Sequence, residues 1–421
     1  MREAFWVGFG LVTSVLALLA GTRFLTILLS TEEYGKLALA ISLATLGVQI
    51  LGDPIGKTSV RFYSGWCEAG KPYGFIQSLK KSLIYAVVCI VLLCIGTLIS
   101  GYFFDISPGY YLVIVTGLFS ILLILNRVAF ALEDAARLRQ FRGLIQGTFE
   151  AMRFLFAVGF IIIFALPRTE IVLSGFVIAG VLVVTGHGIF LYKFFITAQL
   201  VKPGGLKTVS FTVSDSMKAY QLPLILSNAC IWIVMMAERW VLRYYSSSMD
   251  IGGYTAVYQL AFIPMLFISS FMVLLMEPIL YQVARLDGKA AASLQTLKIN
   301  HYIAFGILSV SLILFIILLF CYPTVGYLFL GAEFRPYSWI FPWLLLAGGC
   351  FASAQQLLLK LSCEMRTDLL ALLWCGVAAV AVTSYIVGAN YWQLKGILVA
   401  IVAVNVLFVI FLLFFFYRDK K

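Results

Sequence analysis

Several ionisable side chains of this chain stand inside or beside long apolar runs, and their types and spacing are where any chemistry would lie. The stretch GDPIGKTSVRF, residues 52 to 62, ends a Gly-Lys-Thr that could close a phosphate-binding loop. Such a loop needs four residues between its first glycine and the Gly-Lys-Ser/Thr, so that enough backbone N–H groups curl around the phosphate. Here three intervene, Asp53, Pro54 and Ile55, and the run before them, Leu37 to Leu51, has no strand character. The nucleotide reading therefore fails. The cations that follow, Lys57, Arg61, Lys71, Lys80 and Lys81, read most simply as a cytoplasmic anchor. Asp53, Lys57 and Arg61 sit at the inner mouth of an apolar helix, placed either to receive an anionic head group or to fix the helix end.

Arginine inside a bilayer costs roughly 2.5–3.5 kcal/mol on insertion scales, so each such residue asks for a partner or a role. Four qualify: Arg23, Arg127, Arg153 and Arg239. Arg153 follows Glu150 by one helical turn, which lets the two pair on one face and either lock helix packing or serve transport. Arg239 adjoins Glu238, but consecutive side chains diverge by about 100° on a helix, so each should seek a partner on another helix or a polar cavity. Arg23 has no carboxylate within a turn; it either lines a cavity or snorkels to the outer interface. Arg127 is within snorkelling reach of the cytoplasmic interface. Glu238, Glu150 and Asp53 are the acids available for ion coupling.

Other chemistry finds little to use. His187 and His301 lack ligand-spaced company and read as interfacial residues, and none of the eight cysteines forms a C-x-x-C, so no metal or other cofactor is expected. Glu277 and Glu364 could serve a lipid-active glycosyltransferase or ligase, but such an enzyme needs a sizeable aqueous loop, and the chain is read as a non-enzyme.

These residues must be positioned by membrane helices. With 62% hydrophobic and 12% charged residues, the 421-residue chain holds more apolar surface than a soluble core could use. Twelve apolar runs are long enough to cross hydrocarbon: 5–29, 34–55, 79–100, 110–131, 143–166 and 171–191, then 222–245, 253–278, 302–321, 337–359, 369–387 and 396–417. The net charge of +11 follows the loops. With a cytoplasmic N-terminus, 21 of the 30 Lys and Arg fall on inner segments, five on outer loops and four in spans. That bias places both termini in the cytoplasm and removes nucleic acid as a partner. The first run lacks a small-residue cleavage signature and reads as retained.

A Pro-Gly-Gly at 203 to 205 lies near the midpoint, so residues 198–218 read as a cytoplasmic linker between six-helix bundles at 1–197 and 219–421. Six is even, and the halves share one orientation, as a parallel repeat requires. TRFLTILLSTEEYGKLALAISLA from Thr22 and ERWVLRYYSSSMDIGGYTAVYQLA from Glu238 support that repeat. Each carries an arginine late in its first helix, an acidic Ser/Thr-rich turn, then Gly35 or Gly253. The expected class is thus an all-α polytopic membrane protein with a cavity between two bundles. Short loops and deep cations describe a secondary transporter, and an excess of buried arginine favours an anionic cargo.

GTRFLTILLSTEEYGKLALAISL, together with LFLGAEFRPYSWIFPWLLLAGG from Leu328, resembles the Wzx-type polysaccharide repeat-unit flippases of the MOP (multidrug/oligosaccharidyl-lipid/polysaccharide exporter) superfamily. The resemblance implies a bacterial inner-membrane protein that moves an undecaprenyl-diphosphate-linked oligosaccharide from the cytoplasmic to the periplasmic leaflet, beside polysaccharide polymerase machinery. It also implies a central cationic cavity in which Arg23, and Arg239 through the internal repeat, hold the diphosphate, with Arg153, Arg61 and Lys57 as further cations. Two alternatives stay open. A cation or drug antiporter of the same superfamily would use Glu238, although the first span has no carboxylate after Glu3. A polysaccharide polymerase or ligase would need a large periplasmic loop.

Overall fold

A computed structural model of the chain describes residues 2–68, 72–103, 109–197, 211–286, 289–363 and 366–418. Its elements are helices: α1 (Arg2–Leu28), α2 (Thr31–Gly47), a π turn (Val48–Gly52), α3 (Asp53–Glu68), α4 (Pro72–Phe103), α5 (Tyr110–Ala135), α6 (Arg139–Phe164) and α7 (Thr169–Thr197). There follow α8 (Phe211–Tyr245), α9 (Ser248–Leu286), α10 (Lys289–Phe329), a 3-10 segment (Ala332–Ile340), α11 (Phe341–Cys363) and α12 (Thr367–Arg418). The chain is an all-α, multi-pass membrane protein. Among the described residues, 11 helices are long and apolar enough to cross a membrane. Their outward surfaces agree with that: Leu92, Leu93 and Ile99 of α4 and Ile313, Ile317 and Phe320 of α10 are exposed, which suits lipid and not water.

The eleven helices hold the twelve expected spans because α12 is two of them. At Gln393 the backbone turns to φ 48°, a left-handed conformation that ends a helix. Eight residues of straight helix would separate Gly388 from Gly396 by about 12 Å. Instead a Cβ built on Gly388 would lie 2.8 Å from the carbonyl carbon of Gly396, so the chain doubles back there with glycine against glycine.

Local chemistry explains the ends nearest the functional residues. Ser30 caps α2, its hydroxyl accepting the Glu33 N–H at 3.3 Å, and Glu32 and Glu33 complement the positive end of the helix. Asp53 donates its N–H to the Val48 carbonyl, the five-residue reach that defines the π turn, and Pro54, which has no N–H to give, follows directly where the turn widens the helix. Residues 53 to 68, expected to leave the membrane helix at 55, thus continue it. GDPIGKTSVRF is helix, with neither the strand nor the glycine loop of a phosphate site. Likewise α8 starts at Phe211, within the segment read as linker; residues 198–210 lie outside those described.

By packing, the chain divides into two compact units. The first comprises Met1–Leu39 and Cys230–Lys421, the second Ala40–Ala229. In the first, α9 packs against α1 and α11, while α11 also meets α10 and α12. Its core is aromatic, with Trp374, Tyr254, Tyr258, Tyr385 and Phe351 almost wholly buried. In the second, α7 packs on α5 and α6, and α3 and α4 pack on α5 around Phe75, Ile124 and Val128.

Candidate functional site

In the first unit, the two stretches that carry the family resemblance dock on each other. Arg23 donates through Nη1 to the carbonyl of Leu330, just past the end of α10. Gly331 donates its N–H to Thr26 Oγ1 at 3.0 Å, and the Thr31 N–H, at the start of α2, donates to Glu333 Oε2 at 3.1 Å. A cation thus meets a helix C-terminus and a carboxylate a helix N-terminus, the favourable sense for both dipoles. Tyr34 sits edge-on to Phe334, and its hydroxyl donates to Gln259, which also accepts from Thr22. Gly35 of α2 meets the backbone of α9: a Cβ on Gly252 would lie 3.1 Å from the Gly35 nitrogen. The glycine facing Gly35 is therefore Gly252, while Gly253 lies against the Tyr337 ring.

Glu238 and Arg239 pair with each other, contrary to the expectation that adjacent residues would not. Oε1 and Nη1 are 3.2 Å apart, with Glu238 1% and Arg239 3% exposed. Both side chains are long enough to curl back across 100° of helix surface, and water is shut out by tyrosines, so the neighbour is the strongest partner within reach. Tyr254 donates its hydroxyl to Glu238 at 3.3 Å. Arg239 lies 4.5 Å over the Tyr258 ring and donates to Thr255 and to the Met235 carbonyl. Tyr254 and Tyr258, four apart on one face of α9, were not singled out by sequence; their spacing marks a stripe but not what it faces.

The second unit holds the remaining predicted residues. Arg153 and Glu150 pair at 2.6 Å as their spacing requires, with the guanidinium over Phe154 and Phe176. Arg127 does not merely snorkel. Although its side chain is 43% exposed, it ion-pairs with Asp53, which the π turn and the packing of α3 bring onto α5. Lys57 and Arg61, four apart on α3, both turn to α8. Lys57 Nζ donates to Asn228 Oδ1 at 3.3 Å, and Arg61 lies 5.1 Å over the Tyr220 ring. Lys57 is exposed and Arg61 half-buried. Lys71 and Glu364 lie outside the described residues, and so does the Glu277 side chain.

His187, read as an interfacial residue, is buried among helices. It is 1% exposed and paired with Glu133, itself 0% exposed, at 2.5 Å. The two are 54 residues apart in sequence, so nothing local could announce them. Among the described residues, no cluster of His, Cys, Asp and Glu could hold a metal ion.

No protein-family model matches the chain, and no curated protein sequence does. Its backbone nevertheless superposes on solved transporters over nearly its whole length. An inward-facing multidrug resistance MATE family transporter of the MOP superfamily is 13% identical over 97% of this chain and 94% of its own, with a TM-score of 0.67. A Vibrio cholerae MATE transporter is 12% identical over 99% and 96%, with a TM-score of 0.69. A MOP superfamily transporter from Pyrococcus furiosus, described as having a binding pocket whose reverse polarity suggests a different function, is 14% identical over 100% and 94%, with a TM-score of 0.65. The fold is that of the MATE-family transporters of the MOP superfamily. These neighbours are transporters, not enzymes.

Proposed function

We propose that this protein is a lipid-linked oligosaccharide flippase of the bacterial inner membrane. It moves an undecaprenyl-diphosphate-linked repeat unit from the cytoplasmic to the periplasmic leaflet by alternating access, for use by polysaccharide polymerase machinery. The observation that carries this reading is the pairing of the three acids that the sequence offered for ion coupling. Asp53 is held by Arg127, Glu150 by Arg153 and Glu238 by Arg239. A carboxylate already neutralised by arginine is a poor receptor for a cationic drug, which weighs against a cationic cargo at these three acids.

Lys57 and Arg61, on one face of α3 and not fully buried, are assigned to the diphosphate. A guanidinium can grip phosphate oxygens in pairs, and lysine adds a point charge. Arg23, in the first unit, is a further cation offered to the cargo, its engagement with the Leu330 carbonyl using a fraction of its five N–H donors. Arg239 and Arg153 serve as halves of internal ion pairs. An interior-negative potential assists outward movement of the anion, by about 2.3 kcal/mol per charge per 100 mV.

The antiporter reading keeps one supporting observation: Glu238 lies among tyrosines, with Oε2 lacking a hydrogen-bond partner, in surroundings that suit a cation. Lipid extraction and mass spectrometry of cells lacking the protein separate the two. Accumulation of a single complete repeat unit on its diphosphate lipid supports flipping. Normal lipids with new sensitivity to cationic dyes would replace it with the antiporter.

A further inference from the structure

Glu133 and His187 take no part in the reading above, yet they are the most deeply buried titratable pair in the second unit. Glu133 ends α5 and His187 lies on α7, with Oε1 and Nδ1 2.5 Å apart. The ring is walled by Phe130 at 5.0 Å and Phe141 at 6.0 Å, both edge-on. Each member keeps one buried atom without a hydrogen-bond partner in the protein, Oε2 of Glu133 and Nε2 of His187.

The charged groups around the pair are few. Arg142 of α6 lies 4.7 Å over the Phe130 ring and bonds to Asp134 at 2.8 Å and to Gln146; Arg139 bonds to Asp134 at 2.7 Å. Arg127 of α5 is taken by Asp53 of α3, Lys57 and Arg61 of α3 turn to α8, and Lys80 and Lys81 of α4 are exposed. With a neutral imidazole, Glu133, Asp134, Arg139 and Arg142 sum to zero charge; one added proton makes the cluster +1.

That one-charge change distinguishes the pair from Asp53, Glu150 and Glu238. Those acids are held by arginines, which keep their charge at any physiological pH, so protonating them breaks an ion pair. The partner of Glu133 is an imidazole, a group that exists with one ring proton or two. An added proton would enter a site where a carboxylate and an imidazole face each other, both closed off from the surface. The unpartnered atoms Nε2 and Oε2 are where it adds; no covalent bond other than that N–H or O–H forms or breaks.

We propose that Glu133 and His187 form a buried proton site at the junction of α5, α6 and α7, and that its proton is the ion coupled to transport, a role that rests on the flippase reading. The test uses the full chain in nanodiscs with 15N-labelled histidine. A His301→Gln substitution leaves a single imidazole, followed by NMR from about pH 5 to about pH 9. We expect that signal to titrate, and Glu133→Gln to weaken its proton affinity by about tenfold or more. An imidazole unchanged across the range would overturn the proton site. Should Glu133→Gln fail to fold, the titration of the intact pair still decides.

Coupling is read separately in cells. His187→Gln, present at normal level in the membrane, should accumulate the same lipid-linked oligosaccharide as the deletion. Wild-type lipids in that variant at both about pH 6 and about pH 8 would overturn coupling while leaving the site. If the deletion itself accumulates nothing, the flippase reading and with it the coupling role fail, and the NMR titration alone stands for or against the proton site.

Discussion

Arg239 of the first unit and the Lys57–Arg61 pair of the second are cations on apolar helices, yet their surroundings are opposite. Arg239 is buried with a carboxylate and ringed by tyrosine and threonine, so its charge is spent inside the fold. Lys57 and Arg61 meet an amide oxygen and an aromatic ring and remain partly open. The difference teaches that an intramembrane cation is not a ligand site by virtue of its charge. What decides is how deeply the charge is buried and how much of it is turned toward groups of the fold. A buried pair is costly to break and cheap to replace as a whole, whereas a cation at an exposed or half-buried position can be removed with less effect on the fold.

The largest expected effect follows from breaking the closed side of that comparison. Glu238→Ala strands Arg239 in an apolar cage and should destabilise the protein by about 3–5 kcal/mol, visible as a large drop in detergent melting temperature. Glu238→Leu combined with Arg239→Met should recover most of the loss; if the double variant is as unstable as the single, the pair is doing more than neutralising itself. Next comes the backbone contact beneath the same cage. A Cβ on Gly252 would lie 2.9 Å from the Thr31 carbonyl carbon, so Gly252→Val should cost about 1–3 kcal/mol in the same melt. Arg23→Gln removes a charge from the end of α10 and should cost about 1 kcal/mol. Smallest in stability is Lys57→Ala with Arg61→Ala, expected within about 0.5 kcal/mol of wild type although transport is lost. A melt as depressed as that of Glu238→Ala would erase the contrast between the two regions.

Much of the fold was legible because bilayer thickness fixes helix length. Apolar runs of the right size, separated by Lys and Arg, located the spans, and the α12 hairpin was anticipated as two runs although its backbone turns only around Gln393. The continuation through Asp53 and Pro54 was not, since a polar Gly-Asp-Pro reads as an exit from the membrane, whereas a π turn carries it on as helix. At the site, the i, i+3 pair Glu150–Arg153 could be read from spacing. Arg127–Asp53 and Glu133–His187 join residues 74 and 54 apart, and only the packing of α5 on α3 and α7 brings them together. Glu238–Arg239 was missed for another reason: a rule drawn from exposed helices, where water competes, was applied inside a dry aromatic cage.

That Lys57 and Arg61, exposed and half-buried on α3, receive an anionic lipid head group is tested most directly by mass spectrometry of lipids from cells carrying Lys57→Ala and Arg61→Ala in place of the wild-type protein. The expected result is accumulation of a single diphosphate-linked repeat unit and loss of surface polysaccharide, with the variant present in the membrane at normal level. Wild-type lipid and polysaccharide in those cells would contradict it.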